Sequence, residues 1–251
     1  MTNHGIGLWL GLSLALCSNA QADDQWRFVG DATKLDAGPD SALLYREEHT
    51  VSGYCGPSAW VPVTDDVRYL EPGSDTPFAT KQVDYTDSVI RPDFDFRQPR
   101  FNTRMVVTKQ GNSQVTIKYS QGSDNKTFTT SIDPSVVIDA GFDNLVRRHW
   151  SAVTRDKTVD FQFLAPTRGE HYAFVLEKAS EPRVKADITL RIKPTGMLTR
   201  FLVDPITLGY SNQGELTDYY GLTNIMNGAD SNYLAHIRYR TLQKPGCPLI
   251  P

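Results

Sequence analysis

RMVVTKQGNSQVTIKYSQGSDNKTFTTS, residues 104–131, carries the pattern on which the fold turns. Arg104 to Lys109, Gln114 to Tyr119 and Thr127 to Ser131 are short runs rich in β-branched residues, with apolar and polar side chains alternating. Such alternation puts one face of an extended chain into a core and the other into water. Between the runs stand Gln110-Gly111-Asn112 and Gln121-Gly122-Ser123, whose Gly and Asn accept the positive φ of tight hairpin turns. Strands joined by such turns are antiparallel.

The same grammar extends in both directions. Strands are expected at Trp26 to Val29, Leu43 to Val51, Val67 to Leu70 and Phe78 to Tyr85 on the N-terminal side. On the C-terminal side they are expected at Val159 to Leu164, Tyr172 to Lys178, Ala186 to Lys193, Leu198 to Val203, Thr207 to Tyr210, Glu215 to Tyr220 and Tyr233 to Tyr239. One segment breaks the pattern. Phe142, Leu145, Val146, His149, Trp150 and Val153 recur at helical spacing, predicting one amphipathic helix near residues 140–155, capped by Asp139 or Asp143 and with Phe142 and Trp150 pointing inward. Residues 86–103, containing Pro92 and Pro99, read as a long ordered loop between halves of the sheet. The expected fold is all-β and mainly antiparallel: a strongly curved sheet or open half-barrel with one internal helix.

The N-terminus predicts where the chain works. Ile6 to Cys17 is uncharged and Leu-rich, and Ala20-Gln21-Ala22 follows as a small-x-small cleavage site. The run is shorter than the roughly 20 apolar residues a spanning helix needs, so residues 1–22 read as a signal peptide cleaved after Ala22. Residues 23–251 then form a single periplasmic β-rich domain with no transmembrane segment, expected to be a monomer. Bulky Leu16 before Cys17 argues against lipidation there. The mature part keeps Cys55 and Cys247, an even pair that reads as one disulfide in an oxidising compartment. The net charge of -3 is spread along the chain, without the clustered basic surface that nucleic acid requires.

Tyr45-Arg46-Glu47-Glu48-His49 is the densest polar cluster. Alternation puts Tyr45, Glu47 and His49 on one face and Arg46 and Glu48 on the other. Glu47 and His49 are therefore candidates for an acid/base pair, set against the plainer reading of a surface ion cluster. Metal ligation has weaker support: Glu170-His171, His149 and His236 are scattered, and no HExxH spacing gathers three ligands. Gly56-Pro57-Ser58-Ala59-Trp60 lacks the second glycine of a nucleophile elbow, and no phosphate-loop or dinucleotide fingerprint occurs. No cofactor is implied. Phe142, Trp150, Phe161, Phe163, Phe174 and Tyr239 are left as candidate ligand-binding aromatics, if a curved sheet encloses an apolar cavity that one helix cannot fill.

Tyr45-x-Glu47-x-His49, Arg68-Tyr69-Leu70, Lys81-x-x-Asp84-Tyr85, Asp139-Ala140-Gly141-Phe142-Asp143, and Tyr220-Gly221-Leu222-Thr223-Asn224-Ile225 leading to Ile237-Arg238-Tyr239 together resemble a family of exported Gram-negative proteins without an assigned function. The resemblance brings no reaction. In organisation the chain looks like the open β-barrels of periplasmic lipoprotein-localisation carriers, whose concave side takes acyl chains; this implies a fold and not a function. Gly141 reads as a place of close packing or unusual φ, and Gly221 to Asn224 as a turn between the last two strands. The expected function is a non-catalytic binding or carrier protein for a hydrophobic, lipid-like ligand or another envelope protein. The alternatives are an envelope-directed hydrolase using Glu47 and His49, and a structural accessory that docks through a sheet edge.

Overall fold

The structure is a computed structural model that describes Met1 and residues 24–35, 38, 41–195 and 205–251. The expected signal peptide with Cys17, and the expected strand Leu198 to Val203, lie outside the described residues. The strands are β1 (Asp24–Lys34), β2 (Tyr45–Cys55), β3 (Trp60–Leu70), β4 (Pro77–Asp84), β5 (Asp93–Gln98), β6 (Thr103–Gln110), β7 (Gln114–Gln121) and β8 (Asp124–Ser131). They continue as β9 (Val136–Val137), β10 (Val159–Ala165), β11 (Glu170–Lys178), β12 (Ile188–Pro194), β13 (Ile206–Tyr210), β14 (Leu216–Gly228) and β15 (Ser231–Gln243). Helices α1 (Gly141–Arg148) and α2 (Trp150–Val153) lie between β9 and β10.

All fifteen strands form one sheet in the order β8-β7-β6-β5-β4-β3-β2-β1-β15-β14-β13-β12-β11-β10-β9. Every pairing is antiparallel except β9 with β10. Among the described residues hydrogen bonds do not close this sheet, because β8 and β9 are its two ends. Side chains join the ends instead. Leu164 and Val136 belong to the same core as Val115, Ile117 and Phe128 of β7 and β8, whereas Phe161 and Val137 belong to the core around the helices. Since neighbouring side chains on a strand point to opposite faces, the β9–β10 end is packed on both sides. The β8 end lies over it, with Thr130 Oγ1 donating to the Gly169 carbonyl at 2.6 Å.

Two long bodies of core follow. One fills the curve of β1 to β8, where Tyr45, Val107, Val115 and Ile117 are fully shielded from water. The other is built on Phe142, Leu145, Val146 and Val153 of the helices against Leu176, Leu190, Leu208 and Tyr210. The alternation that predicted inward aromatics is therefore present, but in the first half those side chains occupy the interior themselves.

Three local expectations are corrected. Residues 86–103 contain β5, paired with both β4 and β6, because Phe94 and Phe96 alternate inward between charged neighbours. Pro92 and Pro99 bracket this strand and do not interrupt it. The single helix is broken at His149, and no Asp side chain caps it: Asp139 turns to Lys81, and Asp143 binds Arg147 one turn later and accepts from the Tyr210 hydroxyl at 2.9 Å. Gly221 to Asn224 lies within β14, and the reversal comes later, where Gly228 faces Ser231. Gly141 has the role of close packing, since a Cβ there would stand 2.0 Å from the Ile90 carbonyl oxygen.

Cys55 and Cys247 are bonded, with Cα atoms 5.8 Å apart across a separation of 192 residues. The bond holds the C-terminal tail over one end of the roll. There the backbone N–H of Trp60 donates to the Pro248 carbonyl at 2.8 Å, and Leu249 packs with Trp26, Val51 and Trp60. Replacing both cysteines with alanine is expected to lower unfolding stability by about 2–5 kcal/mol in urea titrations, with the β-sheet circular dichroism of the native state kept.

Candidate functional site

The face of β2 that carries Tyr45, Glu47 and His49 turns inward, and the sheet register supplies its partners. Gly30 of β1 lies opposite Tyr239 of β15 on one side and opposite Glu47 of β2 on the other. A Cβ on Gly30 would stand 2.5 Å from the Tyr239 ring, so the missing side chain is the gap through which Tyr239 crosses β1. Its hydroxyl donates to Glu47 Oε2 at 2.8 Å. On the other flank, His49 Nδ1 is 3.0 Å from Asp65 Oδ2 of β3, and Nε2 is 3.4 Å from Glu47 Oε2. Phe28 stacks on the imidazole at 4.3 Å with planes 11° apart.

Burial would push the His49 imidazole down, but the charge and hydrogen bond of Asp65, helped by Glu47, outweigh it and hold it up at about 9. At neutral pH the ring is an imidazolium with both N–H groups directed at carboxylates. Such a ring has no free nitrogen with which to take a proton. The Tyr239 hydroxyl is likewise held far above its ordinary range, first by burial and then by Glu47. The arrangement can carry charge balance and rigidity through the interior.

A second, part-buried ion pair stands beside it in the same core face. Lys81 Nζ contacts Asp139 Oδ2 at 2.7 Å and Oδ1 at 3.0 Å, with Phe94 and Phe96 rings 5.7 and 6.0 Å away. Asp139 adopts φ 41 immediately before the helix, so the ion pair fixes where α1 starts. Outside, Arg46 binds Asp31 and Glu48 binds Arg68, as the alternation requires. Asp65 and the Lys81–Asp139 pair were missed as site residues from sequence. Asp65-Asp66 in an alternating strand had to turn one carboxylate inward, and that was the available signal.

Of the six candidate aromatics, Phe142, Trp150, Phe161, Phe163 and Phe174 come together around the helices. Phe161 is 5.4 Å from Phe142 and 5.9 Å from Phe174, and Phe163 stands edge-on to Phe174 at 6.2 Å. Phe142 and Phe161 are buried, while Trp150, Phe163 and Phe174 are partly open. Tyr239 is apart from them, in the other core beside His49. Among the described residues no group of three His, Cys, Asp or Glu could hold a metal ion. His236 pairs with Asp218 at 2.7 Å and His171 with Gln162 at 3.3 Å, each away from the other. No helix among the described residues is long and apolar enough to cross a membrane.

No family model matches the chain and no curated protein matches it. Among solved structures, the β-barrel-like protein of a domain of unknown function, DUF1849, from Brucella abortus is similar over 88% of this chain and 96% of its own, with a TM-score of 0.42 and 11% identity.

Two measurements check the buried network. The folded His49 value lies above the roughly 6.5 of free imidazole, so the stabilisation is complete below that pH and is lost as pH rises through about 9. Urea unfolding is expected to show a loss of up to about 3 kcal/mol across that window, with the slope absent in His49→Gln. Gly30→Val is expected to drive Tyr239 off Glu47 and destabilise the fold by about 1–3 kcal/mol or more, with the Tyr239 environment changed in near-ultraviolet circular dichroism.

Proposed function

We propose that this protein is an exported, non-catalytic binding protein of the bacterial periplasm that holds a hydrophobic, lipid-like ligand in its helix-bearing half. The observation that carries this reading is the pair Phe163 and Phe174, partly open to solvent and in ring contact with buried Phe161, which stands against Phe142, with partly open Trp150 edge-on to Tyr210 in the same cluster. Apolar area of that kind gains about 25 cal/mol for each Å² a ligand removes from water. Tyr239, committed to Glu47, has no part in ligand contact. The first core is filled by its own side chains, so the ligand lies against the α1–α2 side and not in the curve of β1 to β8.

The His49 ring, held between Asp65 and Glu47 and raised to about 9, supports a structural role for the pair over the hydrolase reading. The leader at residues 1–22 and the Cys55–Cys247 bond are the features that favour an oxidising compartment.

Mass spectrometry of organic extracts from protein purified out of the periplasm tests the proposal. The expected result is a co-purifying acyl-chain molecule, lost in Phe163→Asp/Phe174→Asp protein that keeps its thermal transition. Absence of any extractable ligand, together with no change in Trp fluorescence on titration with a fatty acid, contradicts it.

A further inference from the structure

The two ends of the sheet are treated differently. β9 is two residues long, and just past it the Ile138 N–H donates to the Ile90 carbonyl at 3.1 Å, so that end is covered. β8 is eight residues long, keeps unbroken register with β7, and is exposed along most of its length. Its turn has Gly122 at φ 58 in the first central position, the arrangement of a two-residue type II′ hairpin. Gln121 and Asp124 are then a hydrogen-bonded pair, and even-numbered residues of β8 bond to β7 from there on. The Ile132 N–H, donating to the Ser113 carbonyl at 2.8 Å, keeps the same phase. The backbone groups of Asn125, Thr127 and Thr129 therefore point away from the sheet.

Exposed edges are ordinarily made safe by shortening, proline, a bulge or a covering segment. Over its second half β8 is flanked by the β10–β11 turn, where Thr130 bonds the Gly169 carbonyl and Phe128 packs on Gly169; over its first half it has none of these among the described residues, and Asp124 and Lys126 are its charged residues. A concavity of about 360 Å³ lies along the first half of the strand, lined by Arg104, Lys118, Tyr119, Asn125, Lys126 and Thr127 among others. No carboxylate lines it, and the register puts the Arg104 and Lys118 side chains on its face of the sheet and that of Lys126 on the other. Arg104 is engaged by Asp95 at 2.8 Å, whereas Lys118 and Lys126 have no ion-pair partner among the described residues. A second concavity, of about 420 Å³, continues along Thr129 to Ser131.

We propose that β8 is a docking edge that takes an extended acidic segment of another protein as an added strand. The partner's main chain bonds to the outward backbone groups of Asn125, Thr127 and Thr129; its Asp or Glu side chains on the face of Asn125 and Thr127 are met by Lys118, and those on the other face by Lys126. Charge complementarity selects this occupant over a second copy of the chain, whose own β8 carries Asp124 with Lys126 and so brings no net negative charge to the two lysines.

The test uses the folded chain labelled with ¹⁵N and two capped eight-residue peptides, one alternating threonine with glutamate and one alternating threonine with lysine. The glutamate peptide is expected to shift the amide signals of Asn125, Thr127 and Thr129 and slow their hydrogen exchange, and the lysine peptide to leave them unchanged. Thr127→Pro removes one outward N–H without touching the bonds to β7, and is expected to weaken binding by about tenfold; Thr127→Val keeps it. Lys118→Glu/Lys126→Glu, on the opposite side of the question, is expected to exchange the peptide preference while the thermal transition stays. Equal response to both peptides, no response to either at millimolar concentration, or protection of the same amides by self-association without peptide would each overturn the proposal.

Discussion

A sheet of fifteen strands that does not close by hydrogen bonds has to be closed by side chains, and the rest of the molecule follows from that requirement. The β8 end lies over the β9–β10 end through apolar packing, with Thr130 bonded to Gly169. One end thereby becomes an inner layer packed on both faces, and the other an outer layer with a free margin. Rolling the sheet this way also produces two curved faces to fill. The β1 to β8 curve is filled by its own strands, while the β9 to β13 curve needs α1 and α2 as a plug.

The polar interior belongs to the same construction. Strands β15, β1, β2 and β3 sit at the middle of the sheet, and Tyr239, Glu47, His49 and Asp65 link them on the inner face across the Gly30 gap. Buried charge is tolerated only where it is paired. Here an imidazolium stands between two carboxylates, and Lys81 answers Asp139 at the entry to the helix. A catalytic pairing and a structural one look alike at two-residue spacing; Asp65, sixteen positions further on, adds the third member of the cluster.

Most of the architecture was readable because β-alternation and Gly-centred turns are local signals. The 104–131 stretch gave its strands within a few residues of their true ends, and the cysteine pair followed from counting. The misses were non-local. β5 was obscured by flanking prolines, although Phe94 and Phe96 alternate as in any strand, and the break at His149 depends on packing rather than on a helix-breaking residue. Gly221 in β14 has φ 153 and sits against Ile206, so a glycine that suggested a reversal instead admits a neighbouring strand. That Tyr239 leaves the other aromatics for Glu47 could be known only once β15 paired with β1.

Interspin distances between labels at Thr129 and Glu170 test the overlapping roll most directly, because these positions lie on opposite ends of the sheet and close together in the fold. The account predicts one short, narrow distance in solution, unchanged when the labelled protein is diluted. A broad distribution, or a long distance showing the two ends apart, would contradict it.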